Sequence, residues 1–159
     1  MAPKTDIDAL DRKILRMVTV DGRASYQSIA DEVGLSRPAV MERVKRLEER
    51  GLIKGYGARV DRPKAGYPVT AFVAVRYGSP VYVGDEPRMR QMEQHPGVLE
   101  CHHVAGDDCY ILKVAAPDLE GVQTILRDVV GTQPGINTRT TIVLSTLFEK
   151  QGITLPELD

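Results

Sequence analysis

Between Ser25 and Val60 the chain carries two short amphipathic stretches separated by a single glycine, and that spacing leaves few folds open. Ser25 and Ser36 each stand one residue ahead of a helical period, where a hydroxyl can accept a hydrogen bond from an unpaired first-turn N–H. Behind Ser25, the residues Ile29, Ala30 and Val33 recur on one helix face; behind Ser36, Val40, Val44 and Leu47 do the same. Gly34 between them supplies the left-handed backbone of a sharp turn. Pro38 is compatible with a helix only because it falls in the first turn, and Gly51 stops that helix. A further helix over 8–20 is predicted from the stripe Leu10, Ile14, Leu15 and Val18, ended by Asp21-Gly22. Residues 53–60 alternate loosely around Gly55 and Gly57, which predicts a short hairpin. Three helices with a tight turn before the last, then a hairpin, make a winged helix-turn-helix. Such a unit offers its third helix to the DNA major groove.

The outward side of that helix is set by the inward one. At about 100° per residue, Met41, Glu42, Lys45, Arg46 and Glu49 share the outer arc, with Arg37 at the amino-terminal tip. On a lone helix this would read equally well as a solvated face; the helix-turn-helix spacing turns it into a DNA-contact surface. The candidate contacts are Ser36, Arg37, Met41, Glu42, Lys45 and Arg46, with Lys54 and Arg59 as phosphate contacts from the wing. Arg43 lies at the core edge, where bracing the fold and touching DNA both remain open. The net charge of −1 argues against a nucleic-acid binder until its distribution is considered. Residues 1–60 hold 12 Lys and Arg against 9 Asp and Glu, whereas 61–159 hold 9 against 13. A basic front joined to an acidic back suits a DNA reader coupled to a part that does not touch DNA.

Beyond a turn-rich linker over 61–68 the pattern changes. Strands are expected over 69–77, 98–105, 109–115 and 136–148, with helices over 85–95 and, capped by Asp118, to about residue 130. A loop is expected over 79–84. The order β-α-β-β-α-β is that of a ferredoxin-like sandwich, so the chain reads as α+β. The expected division is a winged helix-turn-helix over 1–60, the linker, a ferredoxin-like domain over 69–149 and a tail over 150–159. Leu112, Val114, Ile142, Val143, Leu144 and Leu147 are expected in the core. Apolar residues on both faces of the last strand exceed what one helix-covered face requires, and point to pairing between sheets of two copies. No apolar run approaches the length of a membrane span, and residues 1–5 lack a signal-peptide core. Two cysteines, Cys101 and Cys109, fit reduced thiols, and the expected location is the cytoplasm with no membrane partner.

In concert, these features resemble the Lrp/AsnC family of amino-acid-responsive regulators. The pieces that carry the likeness are Asp21-Gly22-Arg23, Val33-Gly34-Leu35-Ser36, Arg43-Val44-Lys45-Arg46-Leu47-Glu48, Gly55-Tyr56 and Pro134-Gly135-Ile136, in order and correctly spaced. The resemblance implies a sequence-specific regulator that binds double-stranded DNA. It also implies homodimers paired through their sheets, often assembled into octamer-like discs, with a small amino acid held between effector domains of neighbouring subunits. No cofactor is implied.

A zwitterion needs an ammonium acceptor, carboxylate donors and fitted walls. The turn Gly106-Asp107-Asp108-Cys109 offers carboxylates and backbone N–H groups, and the resemblance adds Leu119, Thr138, Thr140 and Thr141 from the other side. The family usually has an aromatic where Asp108 stands and an aspartate where Cys109 stands; a neutral thiol is a poor ammonium acceptor. Three consequences stay open: Asp108 takes over, the ligand differs, or effector binding is lost. Cys101 and His103 on one strand face, with Cys109 or Asp107 to complete a site, invite a metal reading, but zinc-site spacing is absent and packing is the expectation. Two other functions are carried: a haem-biosynthesis decarboxylase-like enzyme of the same architecture using His102 and His103, and an architectural DNA binder without a ligand. Asp107-Asp108 lacks a nucleophile with an activator beside it, so no catalytic residue is assigned.

Overall fold

All three amino-terminal helices begin on an oxygen that satisfies a first-turn N–H. In the computed structural model, which describes residues 7–78, 86–131, 135–150 and 152, the Asp11 N–H donates to Asp8 Oδ1 at 2.7 Å, the Ser28 N–H to Ser25 Oγ at 3.0 Å, and the Ala39 N–H to Ser36 Oγ at 3.4 Å. The helices that follow are α1 (Ala9–Val20), α2 (Tyr26–Val33) and α3 (Arg37–Glu49). Gly34, at φ 71°, closes α2 by donating its N–H to the Ala30 carbonyl. A side chain in that left-handed conformation would cost about 1–2 kcal/mol. Ile14, Ile29, Val40 and Leu47 are fully buried at the centre of the three-helix core. Removing the Leu47 side chain beyond Cβ would cost about 2–5 kcal/mol.

The expected hairpin at 53–60 is not a hydrogen-bonded one: no residue there is in a strand. Gly55, at φ 153°, and Gly57 leave neither arm long enough to build a ladder. Tyr56 anchors the segment instead. Its hydroxyl donates to Glu48 Oε1 at 2.8 Å, and its ring lies beside the α1–α2 turn, 3.4 Å from where a Cβ on Gly22 would stand.

The second half is a four-stranded antiparallel sheet of order β2-β3-β1-β4, with β1 (Val69–Tyr77), β2 (Val98–His103), β3 (Tyr110–Ala116) and β4 (Ile136–Ile142). The helices α4 (Glu86–Gln94) and α5 (Leu119–Val129) pack on β2 and β3 respectively. This is the ferredoxin-like arrangement the element order predicts. Register puts Ala71, Val73 and Val75 of β1 beside Val114, Leu112 and Tyr110 of β3 on the helix-covered face. They form one core with Met92, Val122, Ile125 and Val129. Phe72 lies on the opposite face and stays 43% exposed.

β4 stops six residues before the expected end at 148. Its last paired residue, Ile142, sits opposite Ala71, and the Val143 N–H still reaches the Thr70 carbonyl. β1 begins at Val69, so backbone further along finds no ladder partner. As a result Leu144 and Leu147, expected in the core, are 97% and 89% exposed, and Ile142 is only partly covered, while Leu112 and Val114 are fully buried. β2 likewise ends at His103 rather than at 105. The loop over 79–84 and all of the tail except residues 150 and 152 lie outside the described residues. By contact the chain divides into two compact units, Met1–Arg59 with Phe148–Asp159, and Val60–Leu147.

Candidate nucleic-acid interface and effector site

Burial of Val40, Val44 and Leu47 fixes which side of α3 meets solvent. Arg37, Met41, Glu42, Lys45 and Glu49 are exposed, Met41 to 44%. Lys45 Nζ stands 3.7 Å from Glu49 Oε1, a loose pair in which both side chains keep most of their hydration. Arg37 has no ion pair among the described residues. Ser36 is exposed at the tip, with its hydroxyl engaged in the cap.

Arg46 departs from the expectation that it points freely outward. Its Nη2 lies 3.3 and 3.2 Å from the two Asp11 carboxylate oxygens. Asp11 is the single buried charged side chain among the described residues, 1% exposed. Arg43 completes the cluster: its Nη1 donates to Asp11 Oδ1 at 2.7 Å and to Asp8 Oδ2 at 2.6 Å. The bracing role left open for Arg43 is therefore the observed one. Burial works to raise the Asp8 pKa, but the Asp11 N–H and the Arg43 guanidinium outweigh it and hold the carboxyl below its ordinary value. The hydrogen bonds to Asp8 and then Asp11 raise Arg43 in turn.

Past α3, Lys54 is exposed, whereas Arg59 Nη2 donates to the Glu149 carbonyl at 3.2 Å. Both line an open cleft of about 910 Å³ together with Arg23 and Tyr56. Burial, followed by the bond to Glu48, pushes the Tyr56 phenol up to about 12, so it remains a donor at any physiological pH.

In the sheet unit, the Val104 N–H bonds the Cys109 carbonyl at 3.1 Å and closes the β2–β3 loop, while the Cys109 N–H donates to the Val75 carbonyl at 2.8 Å. Gly106 takes φ 135° at the loop's exposed tip, a conformation that favours glycine. Thr138 pairs with the same Val75 from the other side, so it and the loop share one end of the sheet. Arg139 Nη2 reaches Asp108 Oδ2 at 3.0 Å and ties the two together. Asp108 is thereby partnered, whereas Asp107 is exposed.

The three expected threonines divide between the two faces of the sheet. Thr138 and Thr140 lie on the helix-covered face, beside Val75 and Val73, but Thr141 lies on the opposite face beside Phe72. Leu119, 61% exposed, follows the far end of β3, roughly 20 Å from the loop by strand length. No single copy of the chain assembles the whole set.

The Cys101–His103–Cys109 grouping resolves into packing. Cys101 Sγ contacts Met92 Sδ at 4.0 Å, and burial raises its thiol, which disfavours the thiolate that a metal requires. The His103 ring lies against Tyr110, and His102, on the other face, bonds Glu100 Oε2 at 3.1 Å. That contact, and less strongly Lys113, holds Glu100 below its ordinary pKa against the effect of burial.

Comparison with known proteins decides what these two units are. The family model for a winged helix-turn-helix DNA-binding unit matches residues 7–54, and that for the Lrp/AsnC ligand-binding domain matches residues 70–153. This chain belongs to the Lrp/AsnC family. Among Lrp/AsnC relatives, the HTH-type transcriptional regulator LrpA of Mycobacterium tuberculosis is 36% identical, over 89% of this chain and 93% of its own. The leucine-responsive regulatory protein of Escherichia coli is 32% identical, over 96% and 94%. A solved structure of the M. tuberculosis feast or famine regulatory protein, complexed with L-methionine, has a TM-score of 0.82 at 32% identity, covering 93% of this chain and 99% of that one. Both sequence relatives are transcriptional regulators, and this Lrp/AsnC chain is a DNA-binding regulator rather than a decarboxylase. No helix among the described residues is long and apolar enough to cross a membrane.

Sequence reasoning missed three side-chain contacts beside the candidate sites: those of Asp11 and Arg139 and the Tyr56–Glu48 bond. Arg139 alone had a readable signal. Alternation along β4 places it opposite Thr138 and Thr140, on the face that Asp108 reaches.

Proposed function

We propose that this cytoplasmic Lrp/AsnC regulator binds duplex DNA in a sequence-specific manner, laying the Arg37–Lys45 side of α3 in the major groove. The observation that carries the reading is the exposed arc Arg37, Met41, Glu42 and Lys45, held outward by three buried residues on the other side of the same helix. Lys54 adds a phosphate contact; Arg59 adds one through the guanidinium N–H groups that its bond to Glu149 leaves over. A homodimer, paired through the helix-free sheet faces that carry Phe72, presents two such helices to a two-fold site.

The effector is a small amino acid, by analogy with the relative that holds L-methionine. It sits between copies, with Gly106, Asp107, Asp108, Cys109 and Thr138 from one, and Leu119 from another. The separation of Leu119 from the loop within one chain supports a site of this shared kind. Asp107, exposed and without an ion pair among the described residues, takes the ammonium, since Asp108 is held by Arg139 and Cys109 is neutral. Binding can regulate DNA affinity only through its different affinity for two arrangements of the dimer.

The test has two arms. Duplexes selected by the protein from a random pool should bind more tightly than scrambled versions; equal affinity for both would remove sequence-specific regulation. Thermal unfolding with each common amino acid should show one that stabilises, by about 2.7 kcal/mol at 100 times its dissociation constant. No stabilisation by any of them would leave the ligand-free architectural reading.

A further inference from the structure

The buried carboxylate of Asp11 belongs to neither the three-helix apolar core nor the exposed arc of α3, yet it takes hydrogen bonds from two arginines of α3. Resting on the DNA-binding reading above, we infer that Asp11 is a positioning residue for DNA recognition. It converts Arg46 from a mobile cation into a fixed fork of N–H donors at the edge of the interface.

The geometry separates the two arginines. Arg43 is mostly covered and lies between two carboxylates, Asp8 at 2.6 Å and Asp11 at 2.7 Å. Two carboxylates neutralise it, and its side chain is 23% exposed against 50% for Arg46. Arg46 is half exposed and contacts Asp11 through one nitrogen, Nη2, which lies against both oxygens of the carboxylate. A guanidinium has five N–H donors in a rigid plane. Anchoring Nη2 on both oxygens restricts how the plane can turn, and Nε and Nη1 have no hydrogen-bond partner among the described residues. Asp11 is itself immobile: it is 1% exposed, and its backbone N–H is held by the cap oxygen of Asp8. The support runs from the half-exposed Asp8 cap to the buried Asp11 and on to Arg46.

Two consequences follow for binding. The paired Arg46 carries little net charge, so it adds little to the long-range attraction that governs binding to any sequence. Its fixed donors, by contrast, reward a duplex in the correct register and penalise one out of register. Asp11 thus trades general affinity for discrimination.

The experiment compares Asp11→Asn, Arg46→Lys, Arg46→Ala and the Asp11→Asn/Arg46→Ala double variant in the full-length chain. The probes are a duplex selected by the unaltered protein from a random pool and the same duplex scrambled, measured by fluorescence anisotropy over a range of salt concentrations. Asp11→Asn should bind the scrambled duplex as tightly or more tightly, with a salt slope steeper by about 0.9 per subunit. Its preference for the selected duplex should fall on the order of tenfold per half-site, the scale of one oriented arginine contact. Arg46→Lys keeps the charge without the planar fork and should lose the same preference. Once Arg46 is Ala, adding Asp11→Asn should change the preference no further.

A structural role alone would weaken both duplexes in parallel and leave the ratio intact. A restraining role, with Asp11 keeping Arg46 off DNA, would tighten the selected duplex at least as much as the scrambled one. Either result overturns the inference. Should Asp11→Asn fail to fold by circular dichroism, Arg46→Lys decides, because that side chain is half exposed; an unchanged ratio there is equally fatal. If the unaltered protein shows no preference between the duplexes, it is the DNA-binding proposal that has failed, before Asp11 is tested.

Discussion

Replacing Arg37 and Lys45 together by alanine separates the work of α3 as a DNA contact from its work in the fold. Arg37 has no ion pair among the described residues, and Lys45 has only the 3.7 Å approach to Glu49, between side chains 75% and 62% exposed. Loss of that pair should cost at most about 0.5 kcal/mol after solvent screening, and alanine is no worse a helix former than what it replaces. Stability should therefore hardly change. DNA binding should change a great deal. Each phosphate neutralised contributes about 0.9 to the slope of log affinity against log salt, so two lost contacts flatten the slope by about 1.8 per subunit. Between 50 and 200 mM salt the altered protein should then lose roughly tenfold less affinity per subunit than the unaltered one. Anisotropy titrations of a labelled duplex at four or five salt concentrations give the slope, and a thermal melt checks the fold. An unchanged slope in a folded double variant would refute the placement of these two cations on DNA.

Three smaller perturbations probe the supports of the two units. Gly97→Ala would place a Cβ 2.5 Å from Ile125 Cδ1 and 3.1 Å from the Ala115 carbonyl, in a packed core; overpacking there should cost about 1–3 kcal/mol in chemical denaturation. Tyr56→Phe removes the donor to Glu48 and should cost about 1 kcal/mol. Because the folded phenol is raised to about 12, its contribution is complete below the unfolded value near 10 and disappears as pH climbs through 12, so alkaline melts of the two proteins should converge there. Asp8 has the opposite sign. Its folded pKa lies below the ordinary 3.8, so its contribution is complete above that value and is lost as pH falls through the lower one. Asp8→Asn should therefore flatten the acid limb of stability below about pH 4, read by circular dichroism.

What could be read from the sequence was what nearest neighbours decide. Ser25, Ser36 and Asp118 act through an N–H three residues on, and each caps its helix as expected. The span of β1 was legible because the run 69–77, rich in β-branched and aromatic residues, is bounded on both sides by turn residues. The errors have a common origin in partners distant along the chain. Leu144 and Leu147 extend the apolar stretch that opens at Ile142, but a strand also needs a neighbour, and β1 has run out. The outward placement of Arg46 followed correctly from helix periodicity; nothing within the helix announces a carboxylate 35 residues earlier. The effector set joined the chemistry of the 106–109 turn to residues that the resemblance places across a subunit boundary; pairing register puts Thr138 and Thr141 on opposite faces of the sheet, an arrangement that local sequence does not announce.

Contact between α3 and DNA is open to direct observation by a photo-reactive amino acid at position 41, exposed on that helix, against the same group at position 123, exposed on α5. Irradiation with the selected duplex should cross-link DNA to position 41 and leave position 123 unmodified. Cross-linking at 123 with none at 41 would mean that the sheet unit, not the third helix, meets the nucleic acid.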